Sequence, residues 1–308
     1  MDEAPRARWL IFPGVIPAFV NDAAGTSAAA KRALEDVGGF EIHATSPKDL
    51  ESAIRAAMAS APPRIVIAGG DGSVSTAARV VCGTETELAV LPGGTLNHFA
   101  RDHGIPTDFH DAATTAVNGE RADADTAYVG DRLFLNTSSV GAYVGYVQLR
   151  QRIEKYFGYR LASLVAAVRL FMSMRPVELE LDVDGERHRY STPVVFIGVG
   201  ERETRSPMFG NRVPGGKECL HVIVVRERRS ARLLVLALDA ATRGLGELAH
   251  TPELDSFMVD ACTIKLHGRH HVAVDGEIFK ASPTLDYRIA RASLLLVVPR
   301  VAENARVQ

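Results

Sequence analysis

The stretch Ile65-Val-Ile-Ala-Gly-Gly-Asp-Gly-Ser73 decides the fold of this sequence. Its first four residues form an uninterrupted apolar run, which is typical of a buried strand in a parallel sheet. Three glycines follow within four residues, and the next residues predict a helix over 75–81. Strand, glycine loop and helix in this order predict a loop at the carboxyl edge of the sheet, where open α/β folds bind their ligands.

This first glycine loop has two interpretations. Glycines let the backbone approach a ligand closely, and the free N–H groups at a helix start favour an anion such as phosphate. Asp71 would repel phosphate unless a cation bridges the two, so the loop favours Mg²⁺-nucleotide chemistry over simple anion binding. The alternative is a tight Gly-Asp-Gly turn in which Ser73 caps the helix.

A second glycine loop, Leu91-Pro-Gly-Gly-Thr-Leu-Asn-His-Phe-Ala100, repeats the arrangement one strand later. Thr95 could again be only a helix cap. Two such loops on successive strands would face one crevice, however, which favours a shared ligand site. Neither loop matches the P-loop or the dinucleotide-binding fingerprint, so phosphate would be held by backbone N–H groups, hydroxyls and a metal ion.

The rest of the chain predicts two domains of different class. Up to about residue 123, apolar strands over 15–20, 40–44, 64–68 and 87–91 alternate with helices, which predicts a doubly wound parallel sheet. Beyond it, strands separated by Gly, Pro or Asp-Gly turns indicate antiparallel sheet. These strands are predicted over 134–140, 177–182, 190–199, 220–225, 257–266, 271–274, 285–287 and 294–298, with helices over 157–174 and 231–243. We therefore predict an α/β domain over 1–123, which 289–308 could complete, and an antiparallel β domain over 124–288.

Composition excludes several classes of protein. The 308 residues carry 35 Lys and Arg against 37 Asp and Glu, a net charge of −2, and 46% are hydrophobic. Such a chain is not disordered, and it lacks the basic excess of a nucleic-acid-binding protein. Its three cysteines form neither a disulfide framework nor a metal-binding pair, which favours a cytoplasmic protein.

A late acidic pair, Val274-Asp-Gly-Glu277, lies between apolar strands and could supply a catalytic carboxylate. Asp-Gly between strands is also an ordinary hairpin turn. The same four residues occur at Val183-Asp-Gly-Glu186, and composition and spacing do not distinguish the two copies.

Together, Gly69-Gly-Asp-Gly-Ser73, the 91–102 block and Val274-Asp-Gly-Glu277 resemble, in this order, the diacylglycerol kinase catalytic-domain family. Phe134-Leu-Asn-Thr-Ser-Ser-Val-Gly141 resembles its fourth block. The resemblance implies the fold shared by NAD kinases and diacylglycerol kinases, with ATP bound between an α/β domain and an antiparallel β-sandwich. It implies an ATP-dependent kinase that phosphorylates a lipid hydroxyl, with a lipid substrate and transient peripheral membrane contact.

The resemblance also implies a role for individual residues. Asp71 would lie near the Mg²⁺ ion and the transferred group, and Asp275 or Glu277 would be the general base, with the choice left open. The implied nucleotide-binding residues are Asn21, Gly25, Thr45, Gly69, Gly70, Gly72, Ser73, Gly93, Gly94, Thr95 and Asn97.

Two departures from the family pattern stand out. Asp22 replaces the usual proline beside the implied ATP site. Gly215-Gly-Lys-Glu-Cys-Leu-His221 stands where relatives carry Asp-Asp-Gly-Leu-Leu-Asp, a structural Mg²⁺ site. We predict that this structural Mg²⁺ is absent, with the ammonium group of Lys217 in its electrostatic role.

Two other functions compete with lipid kinase. An NAD kinase would share the first glycine loop, but it typically carries an Asn-Glu pair and an Asn-Asp block where this chain has Gly93-Gly-Thr-Leu-Asn97. A catalytically silent nucleotide-binding or lipid-sensing protein is suggested by Asp22 and Lys217, and disfavoured by the retained acids. The sequence identifies neither the lipid nor the oligomeric state.

Overall fold

The computed structural model describes residues 14–141, 176–204, 211–226, 254–268 and 270–300. The helices predicted over 157–174 and 231–243 lie outside these residues. The chain divides into two compact units. The first comprises Met1–Ala100, Gly104–Arg121 and Leu296–Gln308, and the second comprises Arg101–His103 and Ala122–Leu295. The sequence did not predict that Arg101–His103 would group with the second unit.

The first unit contains a parallel sheet flanked by helices. Its strands are β1 (Ile16–Asn21), β2 (Phe40–Thr45), β3 (Arg64–Gly69) and β4 (Glu87–Pro92). They lie in the order β2-β1-β3-β4, and Leu296 near the end of β16 (Thr284–Val298) pairs in parallel with Leu88 of β4. The helices are α1 (Ser27–Val37), α2 (Leu50–Met58), α3 (Asp71–Val81), α4 (His98–Asp102) and α5 (Phe109–Asn118).

Small side chains pack the helices of this unit onto its sheet. All six residues of β3 are buried, as an uninterrupted apolar strand requires. Alanines of α1 and α5 share one core cluster with Val66 and Leu91 of the sheet. The start of α5 is capped by Asp108, whose carboxylate accepts from the N–H groups of His110 and Asp111.

The second unit is built from two sheets. Its strands are β5 (Glu120–Val129), β6 (Arg132–Phe134), β7 (Thr137–Gly141), β8 (Val177–Val183), β9 (Glu186–Thr192), β10 (Val194–Val199), β11 (Leu220–Val225), β12 (Leu254–Val259), β13 (Ala261–Leu266), β14 (His271–Val274), β15 (Glu277–Lys280) and most of β16. One sheet has the order β6-β5-β16-β13-β8-β9, and the other, antiparallel throughout, has the order β12-β11-β10-β7-β14-β15. Buried residues of both sheets form one core cluster, so they pack as a sandwich. The predicted fold class, a parallel α/β domain with an antiparallel β-sandwich, is confirmed.

Three predicted strands are each divided into two. The 190–199 stretch breaks at Pro193, which has no N–H group for a ladder, and its halves β9 and β10 join different sheets. The 257–266 stretch breaks at Asp260 into β12 and β13, again in different sheets. The 134–140 stretch breaks between β6 and β7 because the backbone there hydrogen-bonds to a distant side chain, described below.

Conversely, the segments predicted over 285–287 and 294–298 belong to one strand, β16. Its first residues pair with β13 in the second unit, and Leu296 pairs with β4 in the first. Ala292 within it has a φ of 48°, a conformation that interrupts regular strand geometry.

Candidate functional site

The two glycine loops lie at the carboxyl ends of neighbouring strands of the first unit. Gly69 of β3 pairs with Pro92 of β4, and the N–H of Gly93 donates to the carbonyl of Gly69 at 2.8 Å. Beyond this hydrogen bond, the main chains of the two loops are in direct contact. A Cβ atom on Gly94 would lie 2.6 Å from the Cα of Gly70. This contact explains why both positions are glycine, since any side chain would push the loops apart.

The first loop runs directly into α3. The helix begins at Asp71, with Gly70 as its N-cap residue, so the predicted start at 75 and the alternative of Ser73 as the cap are both wrong. The N–H groups of Asp71 and Gly72 stand at the helix start, where no acceptor within the helix is available. They and the positive end of the helix dipole favour an anion here.

Ser73 connects α3 to the end of β1. Its Oγ atom is buried and accepts from Nδ2 of Asn21 at 3.0 Å. A Cβ atom on Gly69 would lie 2.6 Å from that Oγ, so glycine is required there too. The structure therefore brings together three of the predicted nucleotide-binding residues.

Asn97 shapes the second loop. It has a φ of 51°, a conformation that asparagine tolerates better than most residues. Its Oδ1 accepts from the N–H of Gly94 at 2.8 Å, and its Nδ2 donates to the Gly94 carbonyl at 2.9 Å. Thr95 is exposed and lies three residues before α4 begins at His98, so the alternative of Thr95 as the helix cap is wrong.

Asp71 and Thr26 hold the second loop from two sides. Oδ1 of Asp71 accepts from the N–H of Phe99 in α4 at 3.3 Å. The hydroxyl of Thr26 donates to the carbonyl of Gly93 at 2.9 Å. Thr26 was not among the predicted site residues, although a hydroxyl residue directly after the implied binding residue Gly25 was an available signal.

The remaining predicted positions of this unit lie around the end of β1. Thr45 pairs with Asn21 in the sheet, and its buried hydroxyl donates to the carbonyl of His43 at 3.1 Å. The departure residue Asp22 is exposed, and its N–H donates to the Thr45 carbonyl. A Cβ atom on Gly25 would meet nothing within 4 Å, so no close contact requires glycine at that position.

Asp275 and Glu277 belong to the second unit, in the hairpin between β14 and β15. The carboxylate of Asp275 accepts three backbone N–H groups, from Leu135 at 2.8 Å, Asn136 at 2.9 Å and Thr137 at 3.1 Å. These bonds form the turn that divides β6 from β7. Glu277 is exposed at the start of β15.

The second copy of this tetrapeptide forms the same turn without the same contacts. Asp184 and Asp275 have φ values of 51° and 45°, and each is followed by a glycine with φ of 84° in a two-residue hairpin. The exposed Asp184 side chain makes no hydrogen bond within the part of the chain that the structure describes. Tertiary contacts therefore distinguish the two copies.

No helix among the described residues is long and apolar enough to cross a membrane. Those residues also contain no group of three or more His, Cys, Asp or Glu side chains that could hold a metal ion.

The fold is shared with two kinds of kinase. A solved structure of a diacylglycerol kinase from Bacillus anthracis superposes with a TM-score of 0.66 at 18% identity, covering 92% of this chain and 96% of the other. An NAD kinase from Archaeoglobus fulgidus in complex with ATP superposes with a TM-score of 0.52 at 13% identity, covering 93% and 94%. The paired glycine loops thus occur in a fold common to diacylglycerol kinases and NAD kinases.

Sequence comparison points in the same direction. Residues 17–129 match the family model of the diacylglycerol kinase catalytic domain. A diacylglycerol kinase from Mycobacterium tuberculosis is 28% identical over 56% of this chain and 60% of its own length, and one from Bacillus subtilis is 31% identical over 40% and 41%. The matches thus span only about half the length of these two relatives. A Pseudomonas putida protein named "Probable lipid kinase YegS-like" is 27% identical over 82% of both chains.

Proposed function

We propose that this chain is a lipid kinase that transfers the γ-phosphate of Mg²⁺-bound ATP to a hydroxyl group of diacylglycerol or a related lipid alcohol. The contact between Gly70 and Gly94 carries the proposal, because it joins the two glycine loops at the start of α3. The kinship with diacylglycerol kinases supports a lipid alcohol as the acceptor.

Backbone groups would hold the phosphates. The N–H groups of Asp71 and Gly72 and the dipole of α3 attract negative charge. The hydrogen bond between Asn21 and Ser73 holds the polar side chains of these two residues in place. Phosphoryl transfer depends mainly on in-line positioning and on neutralising charge, so a rigid cradle of this kind serves it well.

Asp71 fits a Mg²⁺ ion that is shared with ATP. Mg²⁺ prefers oxygen ligands and often takes only one or two carboxylates together with phosphates. Oδ1 of Asp71 is held by Phe99, whereas Oδ2 makes no hydrogen bond within the described part of the chain. A Mg²⁺ ion bound there would offset charge on the transferred phosphoryl group.

Glu277 is the better placed general base of the acidic pair. Three N–H groups occupy most of the acceptor sites of the Asp275 carboxylate and weaken it as a base, and the same bonds shape the backbone around it. Glu277 is exposed, so a substrate hydroxyl can reach it and transfer its proton during the reaction. We assign catalysis to Glu277 and a structural role to Asp275.

A lipid acceptor implies transient contact with a membrane surface, and ATP use implies a cytoplasmic protein. The sequence Arg226-Glu-Arg-Arg-Ser-Ala-Arg232 is a basic cluster that could contact anionic lipid headgroups. Within it only Arg226 is described, and its guanidinium pairs with Asp255 at 3.3 Å.

The decisive experiment incubates the purified full chain with γ-labelled ATP, Mg²⁺ and separate acceptors: diacylglycerol, monoacylglycerol, ceramide, sphingosine and NAD. Label in a lipid, lost in Asp71→Asn and kept in Asp36→Asn, supports the proposal. Asp36 is an exposed acid of α1 and serves as the matched control. Label in NAD alone would identify an NAD kinase, and nucleotide binding without label would identify a silent sensor; both results overturn the proposal.

A further inference from the structure

Arg202 is a buried cation of the second unit that the sequence did not single out. Its side chain is 5% exposed, and Nη1 donates to Oδ2 of Asp102 at 3.0 Å. Nη2 donates to the carbonyls of Val199 at 2.7 Å and Asn136 at 3.1 Å. Burial lowers the pKa of Arg202, and the carboxylate of Asp102 opposes that shift. One guanidinium thus joins a carboxylate and two backbone oxygens.

The surrounding residues are arranged to admit this side chain. A Cβ atom on Gly198 would lie 2.5 Å from Cγ of Arg202, so glycine leaves the space that the arginine stem fills. The N–H of Arg202 donates to Nδ1 of the buried His221 at 2.8 Å. Since Nδ1 accepts, the ring proton lies on Nε2, which is 2.7 Å from Oγ of Ser256.

Arg202 is also linked, through Asn136, to Asp275 in the hairpin between β14 and β15. Asn136 accepts from Arg202 with its carbonyl and donates to Oδ1 of Asp275 with its N–H. Asp102, the other partner of Arg202, is the last residue of α4. The guanidinium therefore connects Asp102 to the backbone turn that holds Asp275.

The segment over 215–221 stands where relatives carry a structural Mg²⁺ site, and its side chains do not fit a divalent cation. Lys217 and Glu218 are exposed, and both ring nitrogens of His221 are already engaged. The carbonyl of Glu218 accepts from Arg291 at 3.3 Å. These donors are not a set of convergent oxygen ligands. Lys217 is exposed and makes no ion pair among the described residues, and the role of its ammonium in place of the metal stays a prediction.

We propose that Arg202 is a structural bridge, and that its guanidinium, rather than a divalent cation, holds this part of the second unit together. It binds Asp102 on one side and the carbonyls of Asn136 and Val199 on the other, and so fixes the turn around Asp275. The inference concerns the folded protein alone and does not depend on which substrate is phosphorylated.

Thermal unfolding of the full chain without nucleotide tests this, in millimolar MgCl₂ and in EDTA. We expect the wild-type midpoint to be the same in both buffers. Arg202→Met leaves the partly buried carboxylate of Asp102 without its guanidinium partner, so the midpoint should fall by about 10 °C in both buffers. Lys217→Ala should leave the midpoint unchanged. Arg291→Met is the matched control, because the Arg291–Asp260 pair is exposed and its loss should shift the midpoint little.

A double-mutant cycle separates bridging from general damage. Arg202→Met and Asp102→Asn together should lower the midpoint by clearly less than the sum of the single changes. Arg202→Lys takes the place of Arg202→Met if the methionine variant does not fold, since lysine keeps the charge but cannot bridge three acceptors with a planar fork. Additive shifts overturn the inference. So does a wild-type midpoint that rises with Mg²⁺ and loses the rise in Glu218→Gln.

Discussion

The Cα atom of Gly70 lies 2.6 Å from the position that a Cβ atom on Gly94 would occupy. The two residues belong to different loops, and neither has a positive φ. Glycine is therefore needed for contact between two main chains and not for an unusual backbone conformation. Because the obstacle is backbone, no rotation of a side chain can relieve it.

Gly94→Ala should accordingly separate the loops and weaken ATP binding. Overpacking of this kind costs about 1–3 kcal/mol. If the strain is relieved only when the nucleotide site opens, the affinity for ATP falls by roughly 5- to 150-fold. Calorimetric titration with ATP and Mg²⁺ measures it. Gly14→Ala is the control, since a Cβ atom there would meet nothing within 4 Å. Unchanged affinity in Gly94→Ala would show that contact between the loops is dispensable.

Asp275→Asn should destabilise the protein, whereas Asp184→Asn should not. Both residues have positive φ in the same type of hairpin turn, and asparagine tolerates that conformation, so the backbone cost is matched. Only Asp275 accepts three N–H groups, and the amide would turn a donor towards them. We expect a loss of about 1–3 kcal/mol in urea unfolding for Asp275→Asn alone. Equal losses would indicate that the turn, and not its contacts, determines stability.

Glu277→Gln should lower kcat and leave the fold intact. Removing a general base typically reduces turnover by about 10²–10⁴-fold, whereas an exposed Glu-to-Gln change barely affects stability. Glu186→Gln, at the equivalent position of the other hairpin, is the control and should retain full activity. Steady-state kinetics with the lipid acceptor decides this. If Asp275→Asn lost turnover at unchanged stability while Glu277→Gln remained active, the assignment would be reversed.

Local sequence was sufficient to predict the strands and the glycine loops of the first unit. Buried parallel strands read as apolar runs, and each glycine loop directly follows its strand in the chain, so the order of β3, β4 and their loops needed no distant information. The start of α3 was placed too late because helices usually avoid glycine, and Gly72 lies in its first turn.

The contacts that distinguish residues in the second unit are not local. The partners of Asp275 lie 138 to 140 residues earlier in the chain, and Asp102 lies 100 residues before Arg202. Neither the composition of the chain nor the spacing of its motifs indicates contacts between residues so far apart in sequence. For the same reason the break between β6 and β7 could not be predicted, whereas Pro193 was a readable signal for the break between β9 and β10.

Protonation of His221 should lower the free energy of unfolding of the second unit as the pH falls. Burial lowers the pKa of this imidazole below its usual 6.5, an effect that the carboxylate of Glu201 partly offsets. The unfolded chain therefore binds a proton more readily than the folded one, so this contribution is complete above about pH 6.5 and is lost as the pH falls below it. His221→Gln should lower stability at pH 7.5 but flatten its decline towards pH 5, measured by urea unfolding at each pH. His110→Gln, which removes an exposed histidine of α5, should retain the wild-type slope. An undiminished slope in His221→Gln would assign the acid sensitivity to other groups.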